Sequence, residues 1–473
     1  MFLYVVCALL LAVYAGSTIL FLFIYWRYRR HVLQTPAISE WPTIVVQLPI
    51  YNEQYVVRRL LESVAALDYP RDRLTIQLLD DSTDDTSQIA TECITRLRET
   101  GLNIHHIRRK QRTGYKAGAL AYGLSLTDAE LVLVLDADFV PSPDFLRRTV
   151  PFLAADQKLG MVQTRWGHLN TFTNLLTWSQ TLALDSHFVI EQTARSRAGL
   201  LMSFNGSGGV WRTACIRAAG GWRDLTLTED LDLSYRAQLI GWRFLYLPDI
   251  VIPAELPPQM AAYKQQQARW ARGSTQTLTY MLFPLWRSHF TLIQRFMATL
   301  HLCQYLPHPL MLILLLLTPP MLNLRVLDDV PLGLLGLVGL APPLVYVFSQ
   351  QQLYPDWKRR LLVFPVLLAL GTGIAWNNSR AAINGLLRRG GEFRRTPKFA
   401  VGWQKSSYAL RSDPNAWIEL ALALYALWGV VLALQTRNAA VAPYLCLYVF
   451  AFGLVGGWSL RDGWQLKRKG RVS

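Results

Sequence analysis

The acidic pair Asp136-Ala-Asp138 comes directly after the apolar run from Leu131 to Leu135. Such a run is typical of a buried strand, and side chains two positions apart in an extended chain point the same way. Both carboxylates should therefore emerge together at the carboxyl end of this strand. Hard carboxylate oxygens beside a diphosphate suit Mg²⁺ or Mn²⁺. We predict that Asp138, with Asp136, holds a divalent metal that neutralises charge on a departing nucleotide diphosphate.

A second acidic motif, Thr228-Glu229-Asp230, opens a segment from Leu231 to Ile240 with helical periodicity. A Thr followed by acidic residues also stabilises the first turn of a helix without any chemical role. Transfer of a sugar, however, needs a base. One carboxylate that deprotonates the acceptor hydroxyl permits in-line displacement with inversion at the sugar carbon. We predict that Asp230 is this base and that Glu229 lies beside it in the catalytic site.

A third motif places Gln266, Arg269 and Trp270 at positions i, i+3 and i+4, which share one face of a helix. An Arg can bind the leaving diphosphate, a Trp offers its flat face to a sugar ring, and a Gln can hydrogen-bond hydroxyls. Standing alone, this pattern also fits an amphipathic helix at a membrane interface. In the present order it predicts Arg269 on the donor side and Gln266 and Trp270 on the acceptor side.

Polar residues also follow the first two predicted strands. Tyr51 and Glu53 come after the first strand, and Asp80 and Asp81 come at the end of the second. Groups at successive strand ends converge on one crevice, where they can bind a base and ribose, although Asp-Asp-Ser-Thr is also a common helix N-cap. Lys116 could add a charge for the phosphates, or it could simply lie in a solvated helix start.

These motifs depend on a sheet that brings strand ends together. Apolar runs at 43–48, 74–79 and 131–135 predict strands buried on both faces, and the segments 54–67 and 83–98 have helical periodicity. Strands and helices that alternate in this way predict an α/β domain with an open, mostly parallel sheet between helices. Ligands bind such sheets beyond the carboxyl ends of the strands.

The composition points to a membrane protein. Of the 473 residues 52% are hydrophobic and 12% aromatic, and the net charge is +16. The positive charge could indicate nucleic-acid binding, but it lies in runs beside apolar stretches, as in Arg27 to His31 and Lys467 to Lys469. Such runs are typical of cytoplasmic membrane anchors, so we expect no nucleic-acid partner. The five cysteines have no zinc or disulfide spacing, which favours a reducing compartment.

Phe2 to Trp26 carries no charged residue and is followed at once by basic residues, which predicts a transmembrane helix with the N-terminus outside. A cleaved signal peptide is the alternative, but the basic segment that should precede it is missing. The positive-inside rule assigns the segment 360–383 to the membrane interface, and 277–297 resembles another interfacial helix. Further spans are predicted near 299–323, 332–350, 415–434 and 440–459, five in all with the catalytic domain and C-terminus inside.

Taken together, the motif set resembles the signature of the processive family 2 glycosyltransferases, the cellulose synthase superfamily. The likeness covers about Thr43 to Ser274. The sequences around the motifs are most similar to the plant cellulose synthase-like A and C groups, which make β-1,4-mannan or glucomannan and the xyloglucan glucan backbone. The stretches that carry this likeness are Leu48-Pro-Ile-Tyr-Asn-Glu53, Leu79-Asp-Asp-Ser-Thr-Asp84, Phe204-Asn-Gly-Ser-Gly-Gly-Val-Trp-Arg212 and Ala254-Glu-Leu-Pro257.

The resemblance implies an N-terminal transmembrane helix within 1–30, a cytosolic domain of the Rossmann-like GT-A fold at 41–275, and interfacial helices with a transmembrane bundle at 276–473. It also implies a nucleotide-sugar donor, UDP-glucose or GDP-mannose, a divalent cation, and a glycan extruded through the chain's own helices. By position, Glu53 and Asp81 (or Asp80) would contact the nucleoside and Lys116 the diphosphate. Acceptor contacts would come from Asn205, Gly206, Ser207, Gln266 and Trp270.

Two differences from the family's motifs limit how far its properties can be assigned to this chain. Cellulose synthases have Phe-Phe-Cys-Gly-Ser near the acceptor, whereas this chain has Phe204-Asn205-Gly206-Ser207, which weakens cellulose itself as the product. The family's mobile loop reads Phe-x-Val-Thr-x-Lys. The gating-like loop 388–400 keeps Phe393, Thr396 and Lys398 of this pattern but has Arg in place of Val. It could fold over the donor, or it could be a basic loop facing anionic lipid.

We therefore predict an inverting, processive synthase of a β-1,4-linked glycan in a bacterial inner, plasma or Golgi-type membrane, without a cyclic-dinucleotide-binding domain. The alternative is a transferase that adds one sugar to a lipid, as ceramide glucosyltransferases do. A transporter or scaffold that no longer catalyses is a third class.

Overall fold

The computed structural model describes residues 1–29, 33–327, 341–388, 393–400, 402–411, 413–436 and 438–469. Within these ranges seven strands form one sheet in the order β3-β2-β1-β4-β6-β5-β7. The strands are β1 (Ile44–Ile50), β2 (Leu74–Asp80), β3 (Ile104–Arg108), β4 (Leu131–Val134), β5 (Leu159–His168), β6 (Gly209–Arg212) and β7 (Arg243–Ala254).

The sheet is mostly parallel, as predicted. β1 pairs in parallel with β2 and β4, with Val46 opposite both Ile76 and Leu133. β2 and β3 are parallel, and so are β5 and β7. β6 runs antiparallel to both β4 and β5, which makes the sheet mixed. The carboxyl ends of β1, β2 and β4 therefore meet at one edge, where the polar motifs follow.

Apolar side chains fill both faces of the sheet, which explains the near-continuous hydrophobic runs of the strands. On one face Val46, Leu48 and Leu133 pack with residues such as Leu60 and Phe145 from the helices. On the other face a separate cluster contains Val45 and Val132 of the strands. The helices of this domain are α2 (Val57–Ala65), α3 (Thr86–Glu99), α4 (Tyr115–Ser125), α5 (Phe145–Ala155), α6 (Leu175–Ser186), α7 (Thr193–Arg197), α8 (Thr213–Ala218) and α9 (Glu229–Leu239).

A long helix, α10 (Met260–Trp286), leads from the sheet domain to the apolar helices. The predicted interfacial helix at 277–297 is wrong as a single element, because 277–286 continues α10 and a break precedes the next helix at Leu292. The remaining helices are α1 (Phe2–Tyr28), α11 (Leu292–Leu302), α12 (Pro307–Asn323), α13 (Ala341–Leu353), α14 (Trp357–Arg360), α15 (Phe364–Gly373), α16 (Ala375–Leu386), α17 (Ala416–Gln435) and α18 (Ala442–Lys469).

In the described part of the chain, three helical segments are long and apolar enough to cross a membrane: Phe2–Tyr28, Ala416–Gln435 and Ala439–Arg468. Two bent pairs would raise the number to five if each is one span, namely α11 with α12 at 66° and the segment Trp357–Gly373 with α16 at 43°. The predicted span at 332–350 lies partly outside the described residues, and α13 covers the rest. The interfacial placement of 360–383 stays a prediction.

Candidate active site

One cavity lies beyond the carboxyl ends of β1 and β4, and residues of all three motifs line it together with polar residues that follow β1 and β2. Asp138, Asp230 and Arg269 line it together, so the three chemical groups share one space. The other predicted site residues that line this cavity are Tyr51, Glu53, Asp81, Lys116, Asp136, Asn205, Gly206, Glu229, Gln266 and Trp270.

Asp80 and Ser207 take structural positions outside the set that lines the cavity. Asp80 is fully buried and accepts hydrogen bonds from the Ser87 hydroxyl at 2.6 Å and the Ser82 amide at 2.8 Å, while His106 Nε2 lies 2.8 Å away. These contacts, against the opposing effect of burial, lower the pKa of Asp80 to about 2. The Ser207 hydroxyl accepts a hydrogen bond from the Asp136 amide at 2.9 Å, which holds the turn after β4.

The two carboxylates after β4 each meet a lysine. Lys116 Nζ lies 2.6 Å from Asp136 Oδ1 and 3.7 Å from Glu229 Oε1. Although burial opposes it, the charges of Asp136 and Glu229 raise the pKa of Lys116, so this lysine stays protonated. Lys398 Nζ lies 2.7 Å from Asp138 Oδ2, and the Glu255 amide donates to the same oxygen at 2.9 Å.

The acidic pair fits a divalent metal by chemistry. Asp138 is almost fully buried, and its Oδ1 atom has no hydrogen-bond partner among the described residues. Burial raises the pKa of Asp138, although the charge of Lys398 opposes this shift. The described residues contain no cluster of three His, Cys, Asp or Glu side chains suited to a metal. Mg²⁺-type sites often use one or two carboxylates and take the other ligands from substrate phosphates and water.

Asp230 lies in the first turn of α9, and this turn lines the cavity. Its Oδ1 atom accepts a hydrogen bond from the Leu231 amide at 2.8 Å. Burial, and then the charge of Glu229, raise the pKa of Asp230 to about 7. A carboxylate with this pKa can accept a proton near neutral pH much better than an ordinary aspartate.

The backbone at Gly206 packs directly against Asp230. Gly206 has a φ of +82°, and a Cβ atom there would lie 2.8 Å from Asp230 Oδ2. The Gly206 carbonyl also accepts a hydrogen bond from Lys116 Nζ at 2.8 Å. Only glycine combines this backbone conformation with so close an approach to the carboxylate.

The helical face predicted for the third motif is present on α10. Gln266, Arg269 and Trp270 all line the cavity. The Arg269 guanidinium lies 4.7 Å from the centre of the Phe393 ring, and Arg269 Nε has no hydrogen-bond partner among the described residues. Phe393 in turn stacks on Tyr115 at 5.9 Å. The aromatic ring of the gating-like loop therefore covers the arginine that is predicted to bind the leaving group.

The predicted donor side is lined by basic and aromatic groups. The Arg112 guanidinium lies 3.5 Å from the centre of the Tyr51 ring, and Arg109 Nε donates to Asp81 at 3.0 Å. Arg395 lies 3.2 Å from the Glu53 carboxylate. Burial nevertheless raises the pKa of Glu53 to about 8.

Asn205 is held by neighbours behind the cavity. Gln192 Nε2 donates to Asn205 Oδ1 at 2.6 Å, and Gln163 accepts from the Asn205 amide at 3.0 Å. His187 Nε2 lies 3.2 Å from the Asn205 side-chain nitrogen, while His187 Nδ1 lies 3.0 Å from Glu191. The stretch His187–Gln192 is a π-helical turn. Such turns are frequent at functional sites.

The first cavity continues toward the apolar helices. A second cavity shares Asn205, Asp230 and Trp270 with the first and extends to His301 and Gln304. A third cavity shares His301 and Gln304 with the second and ends at Tyr14, Ser17 and Thr18 of α1.

Sequence reasoning missed Glu255 as part of the site. Its carboxylate accepts hydrogen bonds from the Phe399 and Ala400 amides at 3.3 and 3.2 Å and from Arg59 at 2.7 Å. Glu255 therefore anchors the end of the gating-like loop over the cavity. The one signal in the sequence was its position in the stretch Ala254-Glu-Leu-Pro257, which carried the family likeness without a role.

Part of this chain matches a known protein family. Residues 42–273 match the family described as "Glycosyltransferase like family 2". Glucomannan 4-beta-mannosyltransferase 2 of Arabidopsis thaliana is 41% identical over 289 residues, 58% of this chain and 54% of that protein. Glucomannan 4-beta-mannosyltransferase 1 of Oryza sativa subsp. japonica is 42% identical over 255 residues, 53% of this chain and 49% of that protein. The chain thus spans about half the length of the curated relatives it matches.

A mannosyltransferase from Pyrobaculum calidifontis, solved in complex with GDP-mannose and Mn²⁺, has a similar structure with a TM-score of 0.55. The likeness covers 82% of this chain and 100% of that one at 22% identity, so it speaks to the fold alone. The predicted GT-A-like fold, a mostly parallel sheet joined to apolar helices, is confirmed, and the antiparallel strand β6 makes the sheet mixed. Residues 42–273 of this chain are a family 2 glycosyltransferase domain.

Proposed function

We propose that this chain is an inverting membrane glycosyltransferase that polymerises a β-1,4-linked mannan or glucomannan from a nucleotide-diphosphate hexose. The observation that carries the proposal is the convergence of Asp138, Asp230 and Arg269 on one cavity. The likeness to glucomannan mannosyltransferases favours GDP-mannose as the donor, with UDP-glucose as the second candidate.

The residues divide the reaction between two sides of the cavity. On the acceptor side, Asp230 takes the proton of the attacking hydroxyl, and its raised pKa suits this role. The hydroxyl oxygen then bonds to the anomeric carbon while the bond to the diphosphate oxygen breaks. Attack opposite the leaving group inverts an α-linked donor to a β-linked product.

On the donor side, Arg269 and Lys116 stabilise the negative charge of the leaving nucleotide diphosphate. Lys116 already bridges Asp136, Glu229 and the Gly206 carbonyl, so it is fixed before the donor arrives. Asp136 and Asp138 would hold Mg²⁺ or Mn²⁺, which when bound neutralises charge on the diphosphate. The catalytic domain would face the cytosol, because the positive-inside rule places the basic segments beside the apolar helices in the cytosol.

Processive addition and translocation are supported by the row of three cavities. Their lining is polar and aromatic rather than purely aliphatic, with Gln180, His187 and Tyr263 beside Trp270 in the second cavity. Amphipathic aromatic and amide side chains suit a sugar chain that slides past them. We infer that the growing glycan leaves along this path toward α1.

The same row of cavities also supports the alternative function, a transferase that adds one sugar to a lipid. The third cavity reaches Tyr14, Ser17 and Thr18 of α1, a helix long and apolar enough to cross a membrane. A lipid acceptor could enter there and place its hydroxyl near Asp230. The product would then be a single-sugar glycolipid.

One experiment separates these outcomes. Purified full chain is incubated with radiolabelled GDP-mannose or UDP-glucose and Mn²⁺, and the products are treated with endo-β-1,4-mannanase or endo-β-1,4-glucanase. We expect an insoluble polymer that these enzymes digest, and none from Asp230→Asn. A discrete glycolipid without polymer would reject processivity, and equal product from Asp230→Asn would reject the assigned chemistry.

A further inference from the structure

A second feature of the molecule, outside the transferase cavity, is an open cleft of about 580 Å³ between α10, α16 and the segment that precedes α17. Its described lining is strongly basic and contains one acidic residue, Asp413. The basic lining residues are Lys264, Arg269, Arg272, Arg380, Arg394 and Arg411.

The acidic residue does not neutralise these arginines. Asp413 Oδ2 lies 2.7 Å from Lys264 Nζ, and Lys264 also contacts Glu419 at 2.6 Å. Asp413 and Glu419 thus satisfy the one lysine of the cleft. Among the described residues, none of the ion pairs involves Arg380 or Arg411. Arg380 and Arg411 therefore give the cleft an excess of positive charge.

The polar groups are arranged on two facing helices. Arg269 and Arg272 are three residues apart on α10, and Asn377, Arg380 and Asn384 form a stripe at i, i+3 and i+7 on α16. Arg380 is oriented by one hydrogen bond, from its guanidinium to Asn415 Oδ1 at 2.6 Å. The Asn377 amide already donates to the Lys264 carbonyl at 2.9 Å, so the guanidinium groups and the Asn384 amide are the donors that suit the oxygens of a phosphate.

The cleft also opens at the level where a candidate span begins. Residues 410–411 and 413–415 line one wall, and α17 starts at Ala416 directly after them. α17 is long and apolar enough to cross a membrane. A basic pocket at the end of a membrane helix attracts anionic lipid headgroups on the cytoplasmic side.

We propose that this cleft binds the phosphate of an anionic phospholipid headgroup. The site is separate from sugar transfer in its chemistry, because it needs neither a metal nor a base. It borders the active site at two residues, since Leu227 and Arg269 line both spaces. A bound headgroup would therefore lie behind the helical turn that carries Gln266 and Trp270.

The test measures lipid binding without turnover. Full chain is purified and delipidated in neutral detergent, and binding of dioleoyl-phosphatidylglycerol and dioleoyl-phosphatidylcholine is titrated by native mass spectrometry. The variant is Arg380→Gln with Arg411→Gln, two exposed residues outside the transferase cavity. We expect phosphatidylglycerol to bind about 25-fold more weakly, roughly fivefold for each arginine lost, with phosphatidylcholine binding weak throughout.

The matched control is Arg58→Gln with Arg96→Gln, which removes the same charge from exposed positions of α2 and α3 outside the cleft. It should keep wild-type affinity for phosphatidylglycerol. Unchanged binding in the cleft variant, an equal loss in the control, or equal binding of phosphatidylcholine would overturn the proposal. Displacement of phosphatidylglycerol by millimolar inorganic phosphate, with no preference for lipid, would assign the cleft to free phosphate and reject the lipid.

Discussion

Lys398 Nζ lies 2.7 Å from Asp138 Oδ2, so a loop lysine provides the counter-charge of the carboxylate that is predicted to bind the metal. The contact is well enclosed, because Asp138 is 1% and Lys398 15% exposed in their side chains. The loop is fastened on both sides of Lys398, by Gln265 to the Arg395 carbonyl at 2.7 Å and by Glu255 to the Phe399 amide at 3.3 Å. A metal held by Asp138 would therefore lie beside the positive charge of Lys398.

This contact predicts that Lys398 competes with the metal. Lys398→Met should raise the affinity for Mn²⁺ in the absence of nucleotide by about tenfold, because a partly buried competing charge is worth more than the ~1 kcal/mol of an exposed pair. Mn²⁺ binding can be followed by the electron paramagnetic resonance signal of the free ion. Lys110→Met, at an exposed lysine outside the cavity, is the charge-matched control. An affinity equal to that of the control would argue against competition.

A second prediction concerns the close packing at Gly206. Gly206→Ala should abolish transfer, because its Cβ would lie 2.8 Å from Asp230 Oδ2. Gly101→Ala is the matched control, since Gly101 has a similar φ of +80° and nothing within 4 Å of the added atom. Both variants should lose about 1 kcal/mol of unfolding free energy from backbone strain. Thermal unfolding and product assays on both would show whether only Gly206→Ala loses activity.

The pKa of Asp230 predicts the acid limb of the pH profile. Asp230 can accept the acceptor proton only when it is ionised, and its pKa is raised to about 7. The value of kcat/KM should therefore fall about tenfold for each pH unit below 7 and level off above it. Initial rates between pH 5 and 8.5 would measure this limb. A limb near pH 4, the usual range of an aspartate, would show that the base does not have this raised pKa.

The site was predictable where each motif adjoins a single local element. Asp138 follows a buried strand and Asp230 opens a helix, so spacing placed each on its own element, while the family resemblance carried the expectation that both belong to one site. The mixed sheet was harder to predict, because the strand β6 (Gly209–Arg212) has four residues and its antiparallel pairing depends on partners far away in the chain.

The contact between Lys398 and Asp138 lay beyond sequence reasoning, since 260 residues separate the pair. The family likeness marked Lys398 as a loop landmark without saying which group it meets. For Asp80, the sequence suggested a ligand contact and gave no sign of its hydrogen bonds within the protein. Its place at a strand end suggested a ligand contact, but the neighbouring His106 and Ser87 use the carboxylate for structure.

The last prediction concerns how Asn205 is positioned for the acceptor. Gln192 is fully buried and donates to Asn205 Oδ1 at 2.6 Å, so Gln192→Leu should free the Asn205 side chain. Since Asn205 borders both the first and the second cavity, we expect the KM for a mannan oligosaccharide acceptor to rise about tenfold while the KM for the donor stays unchanged.

Loss of a buried side-chain amide by itself lowers the unfolding free energy by about 1–3 kcal/mol. The control variant must therefore lose a buried amide as well. Gln238→Leu does so, because Gln238 is also buried and donates to two backbone carbonyls at 2.8 Å but lines none of the three cavities described here. Steady-state kinetics with each substrate varied in turn would separate the two variants. If Gln238→Leu raised the acceptor KM as much as Gln192→Leu, the effect would come from general loosening of the domain, and the specific role of Gln192 in positioning Asn205 would be wrong.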